Sequence, residues 1–364
     1  MKVGILGAGQ LARMIALAGF PLGLEFIFLD PAADACANQL GEHLQGDYND
    51  VNLLTLLAER ADVVTYEFEN VPSAVAEFLS AHTQVHPSPQ SLAVAQDRLL
   101  EKNFFNGIGI PTPVYASVNS LDDLQAVMAD IGYPAVIKSR TQGYDGKGQS
   151  VLNNVDDLAP AWHKLEGVPS VVEAFVPFAR EVSIIAARNS ANDIVYYPLS
   201  ENLHRGGILR VSECKADDVM QEQAQTYITC LLEALDYVGV LALELFEVNG
   251  RLVANEFAPR VHNSGHWTIE GAQTSQFENH LRAILNLPLG ATTPINKAAM
   301  VNFIGGLPAL EAVLTIPGAH LHLYGKEPRK GRKVAHATIC TETDKSSAEL
   351  TQKLILIASQ VDDS

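Results

Sequence analysis

Cysteine is scarce in this chain of 364 residues. The four thiols, Cys36, Cys214, Cys230 and Cys340, lie far apart, and none forms the Cys-x-x-Cys spacing of a zinc or redox site. A disulfide framework is thereby excluded, and reduced structural thiols are expected. Also absent is any apolar run near the roughly 18 residues that a membrane span requires. Positive charge is in short supply: 25 Lys and Arg stand against 42 Asp and Glu, for a formal net charge of -17. Such a field repels nucleic acid and anionic membranes at long range, so neither is an expected partner. The opening Met1-Lys2-Val3-Gly4-Ile5-Leu6-Gly7 enters a strand pattern directly, without an apolar segment and small-residue cleavage site. Together with the reduced thiols, this points to the cytoplasm.

What is present is length enough for two or three packed domains. Residues 1–95 read as a doubly wound α/β domain. Lys2 to Leu6 is a strand, Gly7-Ala8-Gly9-Gln10-Leu11-Ala12 a tight turn into a helix, Glu25 to Leu29 a second strand ending at Asp30, and Val63 to Tyr66 another. Pro87 and Pro89 mark its end. Residues 96–298 follow, opening with a helix from Gln96 to about Gly107 and including a small α+β lid at about 115–185. Beyond the lid, longer strands at Val182 to Ala187, Ile194 to Tyr197, Gly239 to Val248 and Arg251 to Phe257, with a helix from Gln221 to Leu235, predict a mostly antiparallel sheet. Residues 299–364 form a small C-terminal region.

Six stretches carry chemistry. Gly7-x-Gly9-x-x-Ala12 with Asp30 matches a relaxed dinucleotide-binding fingerprint, whose physical content is backbone N–H groups at a helix start. A strand delivers Lys138 into a loop bearing Gly143, Gly146 and Gly148, which suits a flap over phosphates with a point charge beside it; a long surface hairpin is the plain alternative. Val171 to Val176 with Glu181 can give an adenine a flat slot and a ribose a carboxylate. Glu244 and Glu256 sit in apolar strands joined by Asn249-Gly250, five residues before and six after the turn, so they approach across adjacent strands. Two close carboxylates call for something positive between them, and Mg²⁺ or an arginine would serve. Directly after comes Arg260-Val261-His262-Asn263-Ser264-Gly265-His266-Trp267, where Arg260 can clamp a phosphate and Asn263 can ligate. His262 and His266 are spaced as zinc ligands on a helix would be, but Pro259 and Gly265 argue for a loop. Residues 326–333 concentrate five basic residues in eight positions, either a solvated loop or an anion patch.

In this order Lys102, Lys138 with its glycine loop, Glu173, Glu181, Glu244, Glu256 and Asn263 resemble the nucleotide and magnesium ligands of the ATP-grasp superfamily. More narrowly, Gly9-Gln10-Leu11, Gly143 to Gln149, Ala258 to Trp267 and Gly331-Arg332-Lys333 resemble the 5-(carboxyamino)imidazole ribonucleotide synthases of purine biosynthesis. The resemblance implies a fold of α/β and α+β class, with a pre-ATP-grasp domain, a lid and ATP-grasp region and a small C-terminal region, as a homodimer. It implies the ATP- and bicarbonate-dependent carboxylation of 5-aminoimidazole ribonucleotide through carboxyphosphate, with the mutase that uses the product as functional partner. ATP would lie on Lys102, Lys138, Gly143, Gly146, Gly148, Glu173, Ala174, Phe175, Val176, Glu181, His204, Phe246, Asn255 and Glu256, with Mg²⁺ on Glu244 and Glu256. Asp145, Lys147, Arg260 and Asn263 would be catalytic. Gln10, Leu11, Glu67, Tyr144 and His262 would meet the ribonucleotide, and Lys326, Arg332 and Lys333 its phosphate. One departure is Ala335, where the resemblance implies glycine. A relative that formylates glycinamide ribonucleotide has a similar layout, but favours serines in the flap and aspartate in the loop where this chain has Tyr144-Asp145 and Asn263-Ser264. A nicotinamide-dependent dehydrogenase built on Gly7, Gly9 and Asp30 would leave Glu244, Glu256 and the second glycine loop without a role.

Overall fold

Apolar strands separated by an amphipathic helix must cover both faces of a parallel sheet, and the first part of the chain does so. The computed structural model describes residues 1–141, 143 and 148–362. Four parallel strands stand in the order Glu42–Gln45, Glu25–Asp30, Lys2–Leu6, Val63–Tyr66, with helices Gln10–Gly19, Val51–Arg60 and Ser73–Ser80 around them. Pro89 does not end this region. It opens a further helix, Pro89–Gln96, because proline at the first helical position loses no hydrogen bond and Ser88 caps the turn.

The lid is a four-stranded antiparallel sheet, Tyr115–Val118, Ser170–Ala174, Ala135–Ser139, Gln149–Leu152, backed by helices Leu121–Ile131 and Leu158–Lys164. Its sheet ends at Ala174. Strand Arg180–Arg188, placed partly in the lid by sequence, belongs to the large sheet.

That large sheet is antiparallel and runs Arg251–Ala258, Gly239–Val248, Arg180–Arg188, Leu199–Arg205, Ile208–Lys215, Lys297–Ile304, Lys333–Thr341, Ala319–Leu323, with Ile194–Tyr196 beside Arg180–Arg188. The hairpin 199–215 is absent from the sequence reading because Ser200, Asn202 and Ser212 are polar yet buried, which breaks the alternation that marks a strand. The boundary expected at 298/299 passes through strand Lys297–Ile304, so the C-terminal region continues the central sheet. Ala335 is a buried position of strand Lys333–Thr341, opposite Phe303 and Leu323, where the backbone is extended and glycine is not required.

The N-terminal domain is fused to this sheet through a common core. Met14 and Ile15 of helix Gln10–Gly19 cluster with Phe277 and Leu281 of helix Gln276–Ile284 and with Trp267, Val240 and Met300. Among the described residues no helix is long and apolar enough to cross a membrane.

A second core, Val301, Phe303, Val313, Ile316, Val334, Ile339 and Leu354, depends on residues beyond 298. Each large apolar side chain there stabilises by about 1.5–3 kcal/mol. A chain ending at residue 298 is therefore expected to lose cooperative unfolding in calorimetry; a sharp transition at the parent temperature would show the C-terminal region to be an appendage.

Candidate active site

The three bodies meet around a cleft of about 640 Å³. Its strand wall depends on one irregularity. Strands Gly239–Val248 and Arg251–Ala258 pair Leu245 with Ala254 but Glu244 with Glu256, leaving Asn255 as an extra residue. This bulge explains why carboxylates five and six residues from the Asn249-Gly250 turn stand opposite each other. The carbonyl it displaces, that of Asn255, accepts from Lys102 Nζ at 2.7 Å.

Beneath this wall the charges alternate. Arg98 Nη1 lies 2.7 Å from Glu256 Oε2, while Glu173 lies between Lys102 (3.3 Å) and Lys138 (3.1 Å). Burial pushes the Glu173 carboxyl up, and Lys138 and Lys102 outweigh it, bringing it to about 2. The Glu256 carboxyl is likewise held low, its burial overcome by Arg98. Burial lowers the Lys138 ammonium. Glu101 is pushed up to about 8 by burial and by Glu256, which outweigh Lys102 and Arg98, while its Oε1 accepts the Phe257 N–H at 2.7 Å.

The loop after Glu256 is tied down on both sides. Arg260 is paired with Glu69, and His262 Nε2 lies 3.0 Å from Glu244 Oε1. Asn263 exchanges amide hydrogen bonds with Asn302, at 2.6 and 3.2 Å. Gly265 is needed because a Cβ there would collide with Ile185 and Gln276. At the other end of the cleft, Phe178 and Phe246 stack at 4.8 Å, and His204 Nδ1 meets Glu181 at 2.7 Å.

The first glycine turn is already filled. Glu67 accepts the Gly9 N–H and, at 2.9 Å, the Ala12 N–H, while Asp30 accepts the Ala8 N–H at 2.8 Å. The protein's own carboxylate thus stands where a dinucleotide phosphate would sit on this helix start.

Of the residues singled out from sequence, Gln10, Leu11, Glu67, Lys138, Gly143, Glu173, Ala174, Phe175, Val176, Glu181, His204, Glu244, Phe246, Asn255, Glu256, Arg260, His262, Asn263 and Lys333 line the cleft. Lys102 does not; it is fully buried under the floor. Lys326 sits behind Gln10, bonded to its side-chain oxygen, and Arg332 donates to the Glu327 carbonyl at 3.2 Å. Gly148 lies outside the lining, against Ser139. Tyr144, Asp145, Gly146 and Lys147 fall outside the described residues.

Arg98 was missed, as were Phe68, Glu69, Asn70, Phe178 and Leu209. Arg98 had a signal. It is the first residue of helix Arg98–Gly107, where the helix dipole disfavours a cation, and Asp97 caps that helix while holding Arg140 Nε at 3.1 Å. Among the described residues, no group of three or more His, Cys, Asp or Glu could hold a metal ion. The facing pair Glu244 and Glu256 supplies hard oxygen donors of the kind that Mg²⁺ takes one or two of, completing its shell with water and phosphate.

Family models match along the chain: a ribonucleotide synthetase preATP-grasp domain at 1–96, an ATP-grasp domain at 103–277 and a phosphoribosylaminoimidazole carboxylase C-terminal domain at 298–350. The chain is 52% identical over 358 residues to the N5-carboxyaminoimidazole ribonucleotide synthase of Pseudomonas aeruginosa, covering 98% of this chain and 99% of that protein. It superposes on the crystal structure of N5-carboxyaminoimidazole ribonucleotide synthetase from Thermus thermophilus with a TM-score of 0.93 at 49% identity, covering 100% and 99% of the two chains. The Aspergillus clavatus synthase, in complex with ADP and 5-aminoimidazole ribonucleotide, gives 0.92 at 31% identity over 99% of each chain.

The raised Glu101 carboxyl has a consequence for stability. Its folded value, about 8, lies above the ordinary 4.5, so the stability linked to it is present below about pH 4.5 and is lost as pH rises through about 8. Glu101→Gln keeps an acceptor for Phe257 and removes the charge. Its melting temperature should gain on the parent's from about pH 5 to about pH 8; parallel curves would place the proton elsewhere.

Proposed function

This chain belongs to the N5-carboxyaminoimidazole ribonucleotide synthase family of ATP-grasp ligases, and we propose that its cleft joins bicarbonate to the amine of 5-aminoimidazole ribonucleotide by way of carboxyphosphate. The observation that carries this reading is the bulge at Asn255, which sets Glu244 against Glu256 beside Arg98 and Lys138. That arrangement suits a polyphosphate chain. Adenine fits the slot between the Glu173 to Val176 backbone and Phe178 and Phe246, with Glu181 for the ribose hydroxyls.

Bicarbonate is a weak nucleophile, and phosphoryl transfer needs positioning and charge neutralisation more than covalent help. Arg260 and Asn263 face the same cleft and would hold the acid. A bicarbonate oxygen attacks the γ-phosphorus and ADP leaves; the ribonucleotide amine then attacks the carboxyl carbon of carboxyphosphate and phosphate leaves. Mg²⁺ held by Glu244 and Glu256 would neutralise the charge building on the phosphates. Lys138 and Arg98 orient those phosphates from the protein side. Gln10 and Leu11 line the N-terminal side of the cleft, where the ribonucleotide would sit with its phosphate on Lys333, Arg332 and, behind Gln10, Lys326. By the family resemblance Asp145 and Lys147 would be catalytic and Tyr144 would meet the ribonucleotide; these three lie outside the described residues. A cytoplasmic homodimer handing its labile product to the mutase that consumes it completes the proposal.

The test is phosphate release with 5-aminoimidazole ribonucleotide, with and without bicarbonate, beside formate with glycinamide ribonucleotide. Bicarbonate-dependent carboxylated product is expected; formylated product, or release indifferent to bicarbonate, would overturn the reading. Glu244→Gln and Glu256→Gln should each cut turnover by about 10–100-fold or more while raising the Mg²⁺ needed for half activity. Normal turnover of both variants at limiting Mg²⁺ would remove the metal from these carboxylates.

A further inference from the structure

Strand Arg180–Arg188 is apolar from Val182 to Ala187 except for Ser183, which is completely buried. Valine would pack there without needing a partner, so a hydroxyl at this depth asks for an explanation. It is one of a set. Asn202, Ser212 and Ser264 are buried around it, behind the wall that carries Glu244.

The direction of the hydrogen bonds follows from a donor that cannot rotate. The backbone N–H of Ser264 points at His262 Nδ1, 3.3 Å away, as the cap of the short turn Asn263–Gly265. A ring nitrogen that accepts carries no proton. Ser264 Oγ, 2.8 Å from the same Nδ1, must then donate to it as well. Its lone pairs are left to accept from Ser183 Oγ at 2.7 Å, and Ser183 in turn accepts from Asn202 Nδ2 at 3.0 Å. Ser212 Oγ stands 2.9 Å from the remaining Asn202 oxygen and 2.8 Å from the Ser264 carbonyl, between which its one hydrogen is shared. The Ser264 N–H on Nδ1 is what fixes the sense of the chain. The backbone of His262 is held independently, its N–H bonded to Gln276 Oε1 at 2.9 Å and its carbonyl accepting from Gln276 Nε2 at 2.6 Å.

We infer that Ser264 and Ser183 are positioning residues that keep the hydrogen of His262 on Nε2 and thereby hold Glu244 in place. With Nδ1 accepting, Nε2–H donates to Glu244 Oε1 at 3.0 Å. The imidazole then offers no lone pair on its cleft-facing side. It cannot ligate a cation or take a proton there, and its part is to fix one oxygen of Glu244 so that the other is presented consistently. This narrows His262 from a substrate contact to a group acting through Glu244. The catalytic half of the inference rests on the proposed function; the tautomer does not.

The experiment is two-bond proton–nitrogen correlation NMR on the full chain labelled with ¹⁵N-histidine, with His262 assigned by His262→Gln, alongside steady-state kinetics. The parent should show Nδ1 bare and Nε2 protonated. Ser264→Ala should shift His262 toward the other tautomer, lower kcat by about 10–100-fold and leave the KM for the ribonucleotide unchanged. Ser183→Ala should move both readouts the same way by less, and Ser183→Thr, which keeps the hydroxyl, should restore them. A proton on Nδ1 in the parent overturns the inference even if no variant folds. So does a loss of kcat without a tautomer change, or a tautomer change without a loss of kcat. If the parent made no carboxylated product, the assigned function would fail while the nitrogen signals still decided the tautomer.

Discussion

Charges buried at the floor of the cleft can persist only by alternating in sign. Glu173 is held by Lys102 and Lys138, and Glu256 by Arg98. Removing one partner from such a set leaves an uncompensated buried charge, which costs far more than the pair itself contributes. The lattice joins three separate pieces of chain: Glu173 and Lys138 come from the lid, Arg98 and Lys102 from the helix that precedes it, and Glu256 from the large sheet. The position of the lid relative to the sheet is thus set by the same contacts that form the charged floor of the cleft.

The large sheet turns that lattice into a site through a local defect and a polar patch. Asn255, squeezed out of the ladder, brings Glu244 opposite Glu256 and turns a carbonyl to Lys102. The hydroxyls of Ser183, Ser264 and Ser212, with Asn202, occupy positions where apolar side chains would pack more simply. Both features weaken the sheet as a sheet. Their value lies in the geometry that they impose on Glu244 and His262.

Much of this was legible in the sequence because chemistry-bearing residues lay at interpretable spacings. The glutamates flanking Asn249-Gly250 and the loop Arg260 to Trp267 could be placed on a strand pair and a following turn from local pattern alone. What escaped depends on long-range pairing. Arg98 reaches Glu256 across 158 residues, and the hairpin 199–215 hides its period because its inward residues are polar. Lys102, expected to face the nucleotide, holds the floor from beneath, since its ammonium finds Glu173 and the Asn255 carbonyl there. The continuity of the C-terminal region with the central sheet escaped for a similar reason: nothing local shows that strand Lys297–Ile304 will pair with Ile208–Lys215.

The central claim is that the alternating floor is an anion site for a nucleotide's phosphates, with Lys138 as a cation that lines it. Equilibrium titration of the parent and of Lys138→Met with Mg-ADP and with adenosine tests it most directly. Lys102 would still neutralise Glu173 in the variant, so the fold should be kept. Mg-ADP affinity should fall about tenfold or more, about 1.4 kcal/mol, with adenosine affinity unchanged. An equal loss for both ligands, or no loss for Mg-ADP, would contradict the account.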